Sequence, residues 1–433
     1  MSSLELYRKK QGTLESCLNM IHSGDVVVLT GDCNAPIQFG NHLHEIADRV
    51  KDVTVFKDFK NHFPFAAQEG MKGHFLTQGF FMGKDMREGQ RYGNSSFFPA
   101  DICTYGSMIT HASDPNVYVG GVSPMDENGN FQIGLCNMWE KEPLDYVRSH
   151  GGKILLEVNP NLPRVRGGIE IHISEVTALF EAASCLPIVP SFEPSEQEKM
   201  VAQYVRSLLR DGDCVQFGIG SLPNAIAAQC MDLKDLGLHT EMITSALGEM
   251  VRKGVITGER KNFHKGEHIF TFSGGDQELY DTIAKDPRFR ITTAGYGCNP
   301  QVIRQNDNMV SINTCVEMDL TGQIASEAIG PKQISGSGGA FDYAYGALLA
   351  NGGRGIMAFT SKTPKGYSKI KSMLGAGTVV TIPRNYADYI VTEYGIAPLR
   401  GRSIRQRAEN LIAIAHPDDR VQLRKDAQKL FYL

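Results

Sequence analysis

Residues 23–36 read SGDVVVLTGDCNAP, and residues 211–223 read DGDCVQFGIGSLP. In both, a Gly-Asp turn leads into a short apolar run, then a glycine-bearing loop, then a proline where a helix can begin. The Gly-Asp pairs (Gly24 and Gly212) are 188 residues apart and the prolines (Pro36 and Pro223) 187 apart. One offset shared by turn, strand, loop and proline predicts an internal duplication of an α/β unit.

The signals that follow agree. After each proline comes a segment of helix length and then a second strand, VTVFKDF (53–59) in the first half and LGLHTEM (236–242) in the second. Strand and helix alternate through both halves, which predicts two similar open α/β domains, each with a mostly parallel sheet covered by helices. Between them PIVPSFEPSEQEK (187–199) holds three prolines and then turns charged, as a linker would. The expected domains are 1–190 and 191–433.

At 433 residues the chain is long enough for about two to three cores, so burial does not restrict function. Charged residues make up 21% and the net charge is −4, which does not suit a nucleic-acid partner. Nine cysteines are scattered without a CxxC pair, arguing against a zinc site or a disulfide framework and for reducing conditions. The N-terminus lacks the apolar core of a signal peptide, and no run of about 18 apolar residues occurs. A cytoplasmic protein with no membrane partner is expected.

Three loops are glycine-rich. In FGIGSLPNAI (217–226), Gly218 and Gly220 allow close backbone approach to a ligand, and the amides of the following helix would face an anion. Pro223 occupies the third glycine position of a dinucleotide fingerprint, which disfavours a dinucleotide-dependent oxidoreductase. ISGSGGAFDYAYGA (334–347) brings Gly336, Gly338 and Gly339 before a helical run, and FSGGDQELYD (272–281) carries Gly274 and Gly275. Together they predict a cleft for an extended anionic or thioester ligand. His264 and His268 have helical metal-pair spacing, but KNFHKGEH reads as a surface loop; His42 and His44 lie in a helical pattern and face different ways. No metal is expected.

LGLHTEM puts a carboxylate where a buried strand finishes. On a strand His239 and Glu241 would share a face. Glu241 is either a strand-end or helix-start carboxylate or a nucleophile; with an ordinary pKa near 4.3 it would be ionised at neutral pH and need no general base. Beside amide-donating loops it suits acyl transfer through an anhydride.

GIGSLPNAI (218–226), GLHTEM (237–242) and GSGGAFDYAYGA (336–347), with GGVSPMDENGNFQIG (120–134), VNPNLPRVRGG (158–168), NTCVEMDLTGQIASE (313–327) and VTEYGIAPLRGRSIRQRAENLIAIAHPDDR (391–420), resemble the acetyl-CoA hydrolase/transferase group of family I CoA-transferases nearly end to end. The resemblance implies that Glu241 is the catalytic glutamate that becomes a glutamyl-CoA thioester. It implies that Gly218, Ile219, Gly220, Ser221 and Leu222, with Gly336, Gly338 and Gly339, line the CoA site. It further implies CoA and acyl-CoA as substrates with no permanently bound cofactor, a short carboxylate as acceptor, and a homodimer or dimer of dimers. Two departures stand out: ITSALGEM (243–250) where the family often has Ser-Asp-Gly, and Ser368-Lys369-Ile370 where it usually has Ser-Arg-Ile. The expected reaction is ping-pong CoA transfer; the alternatives are hydrolysis by the same glutamate and non-catalytic CoA binding.

Overall fold

The computed structural model describes residues 1–58, 60–190 and 193–433. Two compact units emerge: Met1–Val189 with Phe270–Gly297, and Pro190–Ile269 with Cys298–Leu433.

The first unit is built on seven strands in the order Ser95–Phe97, Phe75–Gly79, Val53–Phe56, Val26–Leu29, Val117–Val122, Lys153–Val158, Ala178–Glu181. Every neighbouring pair is parallel. The VVVL run therefore lies mid-sheet, and Val27, Val28 and Leu29 are fully buried because helices cover both faces. Burying each such side chain contributes about 1.5–3 kcal/mol.

In the second unit Cys214–Phe217 takes the same central place. Gly237–His239 pairs on one side of it and Met309–Asn313 on the other, both parallel. Leu238 and His239 then pair with His268 and Ile269. On the other flank Arg354–Ala358 and Tyr389–Thr392 continue in parallel, and Gly395–Pro398 closes the edge antiparallel. In each unit the chain walks outward from its first strand and then crosses to the opposite side. That shared order is what duplication predicts.

The turns repeat in detail. Gly24 and Gly212 have φ of 81° and 82°, left-handed values that favour glycine. Each donates its amide to a lysine carbonyl at 2.9 Å, Lys51 in one unit and Lys234 in the other. Asp25 accepts from the His22 amide at 2.8 Å, and Asp213 from the Arg210 amide at 2.7 Å. Asp52 and Asp235 both turn the chain before the second strand, with φ of 56° and 55°.

The second strands are shorter than the sequence suggests, ending at Phe56 and His239. His268 is not in a surface loop: it is fully buried on a strand, while His264, in the preceding turn, meets Glu267 at 3.0 Å. His42 ends the helix Ile37–His42 and bonds the Gln38 carbonyl. Of the linker reading, Ser191 and Phe192 lie outside the described residues. Among the described residues no helix is long and apolar enough to cross a membrane.

Candidate active site

Open α/β sheets take ligands at the carboxyl ends of their strands, where the chain reverses its direction of addition. In the second unit that point lies beyond Cys214–Phe217 and its neighbours. Glu241 and the Gly218–Leu222 loop follow adjacent parallel strands there.

Glu241 sits on a bend between Gly237–His239 and Met242–Thr244. The bend is fixed by Thr240, whose amide donates to the Ile269 carbonyl at 2.9 Å and whose hydroxyl donates to the Met242 carbonyl at 3.0 Å. Glu241 has therefore left the strand, although it and His239 both approach Tyr343.

The helix Ala340–Leu349 begins at Gly339, whose amide donates to Glu241 Oε2 at 3.0 Å. A β-carbon at Gly339 would fall against that carboxylate, 3.0 Å from its Cδ, and one at Gly338 would lie 3.3 Å from Oε1. Gly338 also has φ of 53°. Only glycine lets the helix start meet the acid this closely. Gly336 is buried just upstream and takes a long 3.4 Å bond from the Ser335 hydroxyl.

The residue keeps some solvent contact, but its carboxyl is enclosed. Burial pushes the carboxyl up to about 7, opposed by the Gly339 amide, which favours the ionised form. An ordinary ionised carboxylate, as read from the sequence, is thus corrected to one poised near neutrality. Behind it Tyr343 is fully buried, its ring edge-on to His239 with centroids 6.4 Å apart. His239 Nδ1 lies 3.2 Å from Asn306 Nδ2.

The second loop is anchored at both ends. The Gly218 amide donates to the Ile312 carbonyl at 2.8 Å, and Gly220, with φ of 125°, precedes the helix Ser221–Gln229. Ile219 is exposed and Leu222 buried. Beneath, Gln216 and Asn313 exchange two amide bonds at 3.1 and 3.2 Å across adjacent strands. The Ser221 hydroxyl donates to Glu198 Oε1 at 2.5 Å. Glu198, Gln216, Asn313 and Tyr343 were not singled out in the sequence, since each meets a partner distant in the chain.

Gly274 and Gly275 belong to the first unit, where the Gly275 amide donates to the Tyr280 hydroxyl at 3.3 Å. The carboxyl ends of that unit's central strands are occupied by its own charges. Asp32 pairs with Lys60, and the Asp32 amide donates to Asp58 at 2.7 Å. Burial, opposed by Lys60, pushes the Asp32 carboxyl up to about 6.

A glutamate is thus held against a glycine helix start, on one of two duplicated parallel-sheet units. Residues 1–213 match the N-terminal domain of acetyl-CoA hydrolase/transferase and residues 275–427 its C-terminal domain. The chain belongs to the acetyl-CoA hydrolase/transferase family of enzymes. It is 35% identical over 429 residues to a 4-hydroxybutyrate coenzyme A transferase of Clostridium kluyveri, covering 99% of both chains. It is 34% identical over 452 residues to a butyryl-CoA:acetate CoA-transferase of Anaerostipes caccae, covering 99% of this chain and 98% of that one. The crystal structure of RipA from Yersinia pestis superposes over 100% of both chains with a TM-score of 0.93 at 30% identity.

Proposed function

We propose that this protein is a CoA-transferase that moves CoA between a short-chain acyl-CoA and a carboxylate such as acetate, through a thioester on Glu241. The Glu241 carboxylate attacks the acyl thioester, forming an acyl-glutamyl anhydride and expelling CoA thiolate. The thiolate attacks the glutamyl carbonyl, leaving glutamyl-CoA and releasing the first carboxylate. The acceptor carboxylate then attacks glutamyl-CoA, and the expelled thiolate takes the acceptor's acyl group from the new anhydride, restoring Glu241. No bond energy is lost to water provided water is kept from the anhydride.

The observation that supports this reading is the Gly339 amide 3.0 Å from the Glu241 carboxylate, a donor aimed where oxyanion charge would develop. Gly218, Ile219, Gly220, Ser221 and Leu222, with Gly336, Gly338 and Gly339, form the CoA site in this proposal. Domains that run along the sequence as 1–190 and 191–433, with Phe270–Gly297 packing with the first unit, a homo-oligomer and a cytoplasmic setting belong to the same reading.

Acyl-CoA given without acceptor should leave the full-length protein heavier by one CoA at Glu241. Glu241→Ala should lose exchange while keeping its fold, because removing a covalent nucleophile closes the path. Substantial transfer by that variant would refute the mechanism, and free CoA released by wild type without acceptor would favour hydrolysis. The residues next to Glu241, Met242 and Ile243, are buried and apolar. That segment offers a dicarboxylate no cation for its second charge, whose burial unpaired would cost several kcal/mol. Acetate, propionate and butyrate should therefore exceed succinate in kcat/KM, and a preference for succinate would overturn this assignment.

A further inference from the structure

The loop Gly218–Leu222 carries two glycines and an exposed Ile219, and a β-carbon at Gly220 would meet nothing closer than 4.0 Å. Such a segment is fixed by its ends. At its entry the Gly218 amide is held by Ile312; at its exit the Ser221 hydroxyl is held by Glu198. Glu198 comes from a different element, the first turn of the helix Glu196–Ser207.

Its two oxygens divide the work. Oε2 closes a capping box, taking the Ser195 amide at 2.8 Å and the Ser195 hydroxyl at 2.9 Å. Oε1 takes Ser221 at 2.5 Å, the geometry of a charge-assisted bond. A capping box needs only the first of these. From this surplus contact we infer that Glu198 is a positioning residue that holds the CoA loop in its binding geometry through Ser221. This rests on the CoA-transferase reading above.

Although burial acts the other way, the Ser221 and Ser195 bonds and the nearby Lys369 charge hold the Glu198 carboxyl below the usual carboxylate range. The clamp is thus ionised throughout the neutral range, and its effect should not vary between about pH 6 and 8.

The test uses full-length protein, with CoA itself as the probe by titration calorimetry, beside steady-state kinetics. Glu198→Ala should weaken CoA binding and raise the acyl-CoA KM about tenfold, the scale of a lost hydrogen bond to a charged group, with the acetate KM unchanged. Ser221→Ala should do the same, and the double variant should be no worse than the weaker single one. Glu198→Gln, which keeps an acceptor oxygen, should recover most of the affinity. Ser195→Ala separates the two oxygens: it breaks the cap and should lower Tm while leaving CoA affinity intact. If wild type binds CoA and Glu198→Ala binds it equally, or if the two alanine effects add, the inference fails and the functional reading stands. If wild type binds no CoA, the functional reading fails and the inference with it.

Discussion

In the proposed mechanism the Glu241 carboxylate must be ionised to attack, and burial holds it near its midpoint at neutral pH. Its carboxyl is raised from 4.5 to about 7 by burial. In kinetics, log kcat/KM for acyl-CoA should therefore rise with unit slope below about pH 7 and level off above it. A profile flat from pH 5 to 8 would show that the acid is ionised throughout. The effect on stability has the opposite sense. Between pH 4.5 and 7 the folded protein keeps a proton that the unfolded chain releases, so the unfolded state binds fewer protons and stability falls as pH rises. Glu241→Gln removes this loss: it should melt above wild type at pH 8, with the gap shrinking toward pH 5. At this scale the acid's place was legible, because LGLHTEM sets it just past an apolar strand. Its state was not. The raised pKa comes from burial, opposed by the Gly339 amide at the start of the helix Ala340–Leu349, 98 residues away in sequence.

At the scale of elements, the repeated Gly-Asp turns and central strands could be read directly, because φ above zero and two-sided burial leave local marks in composition. What could not be read is which glycine loop meets which acid. The loops at 217–222, 272–275 and 334–339 look alike as sequence. Gly338 and Gly339 abut Glu241, Gly218 and Gly220 follow the neighbouring strand, and Gly275 turns its amide to Tyr280 in the other unit. The helix start at Gly339 is the sharpest case. Its φ of −94° is open to any residue, so glycine is needed there for space against Glu241 and Tyr343 alone. Gly339→Ala should then displace the carboxylate from the amide and lower kcat about 10²-fold or more, the scale for a lost oxyanion donor. Its Tm should shift little by comparison. Equal losses in both measurements would mean that Gly339 serves folding.

At the scale of the whole chain, sequence order and compact units part company. Phe270–Gly297 follows the second unit's strands in sequence yet packs with Met1–Val189. Its alternation of strand and helix is local and looks like any other α/β segment, so periodicity could not assign it. The assignment rests on long-range backbone bonds: Asn137 to Thr271 at 2.9 Å, Ser273 to Leu135 at 3.0 Å, Ile291 to Arg166 at 3.0 Å and Val189 to Gly275 at 2.9 Å. The Tyr280 hydroxyl adds a bond to the Pro187 carbonyl at 2.6 Å. A fragment of residues 196–433 keeps this segment and removes every one of those partners. Leu279, Tyr280 and Ile283, all buried in the full chain, would lose the unit they pack with. Exposed apolar surface on that scale leads to aggregation. The fragment alone should therefore be insoluble or melt without a cooperative transition, and co-expression with residues 1–195 should restore soluble, CoA-binding protein. A 196–433 fragment that purifies as a monomer and melts cooperatively would show instead that the segment is at home in the second half.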